Sequence, residues 1–165
     1  MPERRRGPRP RATMGDMRKG LTLIEIVVVV AIIAFLMGVY FVAANPAGQL
    51  AGARNNRRKS DIETLSINIK RMVADTGNEQ FSCSAGTLPT SSPKIMGIGA
   101  GNYDIAQCLI PTYLPNLPFD PSASTSYYNS PSDYNTGYSI LQNASGSITI
   151  AAPYAELGAK ITITQ

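Results

Sequence analysis

Leu21 to Ala44 is an apolar run of 24 residues carrying a single charge, Glu25, and it constrains everything else in the chain. At about 1.5 Å per residue a helix of that length reaches roughly 36 Å, enough to cross the hydrocarbon core of a bilayer with some tilt. Val27 to Val30 are β-branched and would suit a strand in water. In lipid a lone segment must satisfy its own backbone hydrogen bonds, so the run is expected to be a membrane-spanning helix.

The flanks of the run differ sharply in charge. Residues 1–20 hold seven basic side chains (Arg4, Arg5, Arg6, Arg9, Arg11, Arg18, Lys19) and two acidic ones, Glu3 and Asp16, so that segment is +5. The remainder holds eight basic and nine acidic side chains and is −1. The net charge of +4 therefore belongs to the leader and gives no support for a nucleic-acid partner. A basic, Pro- and Gly-rich leader without apolar periodicity is instead the segment that stays on the cytoplasmic side of a membrane. Met14 and Met17 are alternative starts; a start at Met14 leaves the leader Met-Gly-Asp-Met-Arg-Lys-Gly.

Where leader and run meet, the chain reads Arg18-Lys19-Gly20-Leu21-Thr22-Leu23-Ile24-Glu25. An acidic residue inside a membrane helix costs about 2.5–3.5 kcal/mol and is usually paired and functional. Cleavage between Gly20 and Leu21 would supply the partner, a new α-amino group that is charged near neutral pH. In a bundle of such helices the amine of one subunit can meet Glu25 of the next, and the cost of burying both charges then favours one register.

These residues resemble the class III signal of type IV prepilins and type II secretion pseudopilins. The resemblance implies that a prepilin peptidase cuts after Gly20 and methylates the new N-terminus at Leu21, and that Glu25 becomes the fifth residue of the mature chain. Leu21 departs from the Phe usual at that position. The specific motif covers about 25 residues. Lower-specificity matches follow in the family's order: Ala53 to Leu65 looks like the helix leaving the membrane, Tyr113 to Pro121 like the Leu-Pro-x-Asp-Pro turn before the sheet, and Gly137-Tyr138-Ser139-Ile140 like one of its strands. The resemblance further implies self-assembly into a helical filament, an assembly ATPase, an inner-membrane platform protein, and no cofactor.

Beyond the run, Asn45-Pro46 interrupts and kinks the helix, which recovers after Ala53. Arg54, Arg57, Arg58 and Lys59 form a basic collar expected to face lipid phosphates or neighbouring subunits, with DNA as a lesser alternative. Ile62, Leu65, Ile69 and Met72 fall at steps of three and four, an apolar stripe, with Asp61 and Glu63 on the polar side. Gly77 reads as the residue past the helix end, within Asp75-Thr76-Gly77-Asn78. Residues 76–101 read as a long loop, and Asn102 as the cap of a short helix carrying Ile105, Leu109 and Ile110. Strand candidates are 126–129, 137–142, 147–151 and 159–164, with Asn143 to Gly146 as a hairpin turn. The expected fold is α+β: a lollipop of one long N-terminal membrane-spanning helix, its second half packed on a small C-terminal antiparallel sheet. Its parts are a leader at 1–20, a transmembrane half-helix at 21–44, a soluble half-helix at 45–75 and a globular head at 76–165.

Cys83 and Cys108 both lie beyond the run, so export would favour a disulfide; the alternative is two separate buried thiols. Asp104, Asp120 and Asp133 are weak candidates for a calcium site like that of some pseudopilins, against solvated or turn-forming carboxylates, and the usual spacing of a calcium loop is missing. Tyr127, Tyr128, Tyr134 and Tyr138 read as adhesive surface aromatics or as sheet packing. The chain has no histidine, no metal-ligand cluster and no phosphate-binding loop, which argues against an enzyme.

The sequence reading is therefore a pilin of a type IV pilus-like filament serving adhesion, motility or DNA uptake. It begins as a single-pass precursor in the bacterial inner membrane and ends in an extracellular or periplasmic filament. A type II secretion pseudopilin is the alternative. A non-polymerising, membrane-anchored exported domain is a third, and it explains the helix but not Gly20 and Glu25. A secretory signal peptide cut after Ala51-Gly52-Ala53 conflicts with the length of the run and with Glu25.

Overall fold

The computed structural model describes residues 20–77, 81 and 83–165. The expected leader (save Gly20), the alternative starts at Met14 and Met17, and Asn78 of the helix stop lie outside the described residues. The chain divides into two units, Met1–Ala44 and Asn45–Gln165.

The first unit contains helix α1, Leu23–Ala44, in which no residue is buried. Its 22 residues correspond to about 33 Å of helix. Every side chain after Glu25 is uncharged, and the helix is long and apolar enough to cross a membrane.

The second unit opens on a capped helix start. Asn45 adopts a left-handed backbone (φ 38°), and its Oδ1 accepts the N–H of Gly48 at 3.2 Å. Pro46 occupies the first helical position, where its missing N–H costs nothing. Gly48 leaves room for this cap: a Cβ there would meet the Asn45 side-chain nitrogen at 2.7 Å. The long N-terminal helical stretch is thus interrupted at Asn45, where the sequence reading placed the break, and α2 spans Pro46–Asp75.

The buried residues of α2 include Ala51, Asn55, Arg58, Ile62, Leu65, Ile69 and Met72, which alternate steps of four and three and so line one face. That face packs on the sheet and on α3, Ala106–Leu109. Five antiparallel strands make the sheet: β1 Lys94–Gly97, β2 Tyr127–Ser130, β3 Asp133–Gln142, β4 Ile148–Ala151 and β5 Thr162–Thr164, in the order β1-β3-β4-β5, with β2 also on β3. Asn135 pairs with both Gly97 and Tyr127, so β1 takes one side of β3 while β2 and β4 share the other. The β3–β4 hairpin turns through Asn143–Gly146, as expected, with the Gly146 N–H donating to the Asn143 carbonyl at 2.9 Å. The architecture is α+β: a long N-terminal helical stretch with an apolar first part, followed by a C-terminal antiparallel sheet.

Several boundaries differ from expectation. β1 lies inside the presumed loop 76–101 and buries Met96 completely. β3 starts four residues before the expected Gly137, because Gly137 sits within the strand at φ 74° rather than at its end. β5 is shorter than 159–164, since Glu156–Ala159 forms a turn. Asn102 does not cap α3; its amide donates to the Ile98 carbonyl at 2.9 Å, and Ile105 holds the cap position without a side-chain bond. Tyr134 and Tyr138 are core residues, whereas Tyr127 is exposed.

Candidate functional site

Two sets of residues carry the chemistry, one at the start of α1 and one inside the second unit. At the first, Gly20 and Leu21 are exposed and precede the helix. The Thr22 hydroxyl accepts the Glu25 N–H at 3.3 Å, and the Thr22 carbonyl accepts Glu25 N–H and Ile26 N–H at 3.1 and 3.3 Å. The spacing Thr22-x-x-Glu25 is that of a capping box, a signal present in the sequence. It explains why the helix begins at Leu23 and not at Leu21. Glu25 lies in the first turn, where the helix dipole favours a carboxylate. Among the described residues no cation pairs with it.

The basic collar does not exist as one surface. Arg58 is fully buried, and each of its five N–H groups has an acceptor. Nε and Nη2 grip Asp120 side-on at 2.7 and 2.9 Å; Nη1 donates to Asn55 Oδ1 at 2.8 Å and to Glu156 Oε2 at 2.9 Å; Nη2 also donates to Ser122 Oγ at 2.6 Å. Arg54 donates to both Glu156 oxygens, at 2.8 and 2.6 Å. Arg57 is exposed, 3.8 Å from Asp61. A guanidinium removed from water and saturated by carboxylates cannot meet lipid phosphate or DNA, so Arg58 leaves the collar.

The same contacts occupy Asp120. Its Oδ1 also accepts the N–H groups of Ser122 and Ala123 at 2.9 Å each, so both oxygens are occupied by donors of this chain. Burial pushes the Asp120 carboxyl up, but Arg58 and the two backbone donors outweigh it and hold it below its ordinary value. Glu156 falls to about 2, through Arg54 first and Arg58 second. The Arg58 guanidinium is raised, chiefly by its bond with Asp120.

Asp104 accepts from Gln107 and from the Tyr134 hydroxyl, and Asp133 from Tyr127 and Asn129. Among the described residues no group of three or more potential metal ligands forms. Asp61, placed on the polar side by its sequence position, instead accepts the buried Tyr138 hydroxyl at 2.7 Å. Burial raises Asp61, and burial followed by the Asp61 hydrogen bond raises Tyr138. Cys83 and Cys108 form a disulfide with their Cα atoms 5.5 Å apart, which excludes separate thiols and staples the segment before β1 to α3.

Residues 16–41 match the family model described as the prokaryotic N-terminal methylation motif, the class III signal of type IV pilins and pseudopilins. The matched stretch runs across the Gly20–Leu21 junction and through Glu25 into the middle of α1. The match is confined to these residues and supports a precursor like those of type IV pilins and pseudopilins. Neither a curated protein nor a solved structure matches the chain.

Proposed function

We propose that this precursor of the pilin type is cut between Gly20 and Leu21 by a prepilin peptidase, methylated at Leu21, and assembled as a subunit of a type IV pilus-like filament. One observation carries the reading: α1 buries none of its apolar surface within the chain and holds its one carboxylate, Glu25, in the first turn behind Gly20–Leu21. Roughly 22 exposed apolar helical residues require either lipid or other copies around them. The precursor takes the first option as a single-pass membrane protein, and the filament takes the second.

In the filament the Leu21 amine of one copy neutralises Glu25 of another and sets their register. Energy and direction come from an assembly ATPase and a platform protein in the inner membrane. Adhesion, motility or DNA uptake then follows from the polymer. Mass spectrometry of the mature chain tests the cut: a methylated Leu21 N-terminus supports it, and an intact leader refutes it. Electron microscopy tests assembly, with long surface fibres marking a pilus, short periplasmic ones a secretion pseudopilus, and none an anchored monomer. Replacing Glu25 with Val should leave the protein in the membrane without filaments; normal filaments would reject the pairing.

A further inference from the structure

The sheet has an open edge at β5. Ile148 and Gln165 exchange both backbone bonds, at 2.9 and 3.0 Å, and the Ala152 N–H donates to the Ile161 carbonyl at 2.9 Å. In the antiparallel register, Thr149–Thr164 and Ala151–Thr162 alternate with those bonded positions. They are therefore the pairs whose backbone groups point away from each other. The close approach of the Thr149 and Thr164 hydroxyls, 3.0 Å, agrees with that assignment. The N–H and C=O groups of Thr162 and Thr164 thus face outward, and β5 is the last strand in the order. Among the described residues none of these groups has a hydrogen bond. At the opposite edge β1 is covered: Tyr103 N–H donates to the Ile95 carbonyl at 2.9 Å, and its carbonyl accepts the Gly97 N–H at 3.0 Å.

Beside this edge α2 and β5 border a cavity of about 200 Å³. Ile62 from α2 and Ile161 from the chain entering β5 line it and are buried, so its floor is apolar. Lys59 and Glu63, one helical turn apart on α2, line it with Lys160, and all three are exposed. Among the described residues neither Lys59 nor Lys160 forms an ion pair.

We propose that the β5 edge is a docking site for an extended, acidic polypeptide segment, which joins the sheet as a further strand. The site lies wholly in the second unit and does not depend on the filament reading. Two observations select this occupant. First, Thr162 and Thr164 each offer a donor and an acceptor, about 6.8 Å apart along the strand, which is the repeat of another strand's backbone. A phosphate group would use only the N–H groups and would set its charge against the two carbonyls. Second, Lys59 and Lys160 outnumber Glu63 in the lining, so an incoming carboxylate is favoured. Two copies joined edge to edge would double that positive charge, whereas an acidic strand neutralises it. An added strand places alternate side chains on the α2 side, where an apolar residue covers Ile62 and Ile161 and a carboxylate reaches Lys59.

The probe is a fluorescent peptide of about six residues, alternating glutamate and valine, which matches the roughly 17 Å from Lys160 to Gln165. Fluorescence anisotropy with the full chain in phosphatidylcholine nanodiscs should show saturable binding. The same peptide methylated at every backbone nitrogen should bind at least about tenfold more weakly, because it has lost its donors to the edge. A lysine–valine peptide should be weakened as much, and Lys59→Glu should weaken the glutamate–valine peptide. Thr162→Pro removes an outward N–H and leaves the ladder to β4 intact, so it should lose peptide binding while melting close to the parent. The comparison of the two glutamate–valine peptides uses the parent chain and holds whatever Thr162→Pro does to folding. No saturable binding of the unmethylated peptide overturns the site. Equal affinity for the methylated one, or equal displacement by inorganic phosphate or by phosphatidylglycerol vesicles, overturns strand addition as well.

Discussion

Arg58 and Asp120, 62 residues apart in sequence, meet side-on with Nε–Oδ2 at 2.7 Å and Nη2–Oδ1 at 2.9 Å, and neither side chain is exposed to solvent. Asp120 precedes Pro121 in the segment leading to the sheet, and Arg58 sits on the buried face of α2. Glu156 joins from the β4–β5 loop. Three separate segments are therefore tied at one guanidinium, whose planar fork can serve several acceptors together.

Removing one partner leaves an uncompensated charge in the interior, so Asp120→Ala should destabilise the second unit by about 3–5 kcal/mol. Arg58→Lys should also be poorly tolerated, since an ammonium cannot reproduce the five bonds. The double variant Arg58→Met/Asp120→Leu should be more stable than either single loss, because apolar packing replaces the desolvated ions. Urea denaturation followed by far-UV circular dichroism checks the order.

Acid should weaken the second unit in a defined window. Glu156 has its folded value lowered from 4.5 to about 2, and Asp120 is lowered from 3.8. Groups lowered on folding contribute stability that is present above their unfolded values and lost as pH falls through the folded ones. Stability should therefore drop between about pH 4.5 and pH 2. Asp61, raised by burial, works in the opposite direction and blunts the slope. Thermal melts at pH 5 and pH 2.5 measure the drop, and Glu156→Gln should flatten it.

Gly137 should not accept a side chain. Its φ of 74° is strained for any L-residue, and an added Cβ would collide with the Ser126 hydroxyl and come within 3.0 Å of Asp120 Cβ. Gly137→Ala should cost at least about 1–2 kcal/mol from the backbone alone, plus displacement of the segment holding Asp120. The melting temperature of the variant checks this, with Gly146→Ala, which has open space around it, as the control for backbone strain without a clash.

Cys83 and Cys108 close a loop with a sequence separation of 25. In the chain-entropy model such a loop contributes about 3.5 kcal/mol, so the Cys83→Ser/Cys108→Ser variant should melt at a markedly lower temperature. The disulfide ties residues outside the Arg58 cluster. Its loss and that of Asp120 should therefore add nearly independently, which a double-variant cycle measures.

How far the sequence could be read depended on the range of the interactions. The stripe Ile62, Leu65, Ile69, Met72 was legible from its spacing, and the same steps continued backwards reach Arg58, Asn55 and Ala51. Arg58 was misassigned because residue type outweighed position: a basic side chain beside three others reads as surface. Thr22-x-x-Glu25 is a local signal for the helix start. Strand β1, only Lys94-Ile95-Met96-Gly97, offers too few residues to show an alternation, and its identity comes from pairing with β3.

The apolar run, its basic flank, the lone carboxylate behind Gly20–Leu21 and the alternating strands near the C-terminus are all readable from order along the chain. Hydropathy and period are local properties, and no neighbour is needed to reveal them. The fate of each charge is a different matter. Arg58 is buried because Asp120 and Glu156 arrive from 62 and 98 residues away to replace its water. Asp61 is held by Tyr138 across 77 residues. Such outcomes depend on which segments meet in space, and one-dimensional spacing carries no record of that meeting.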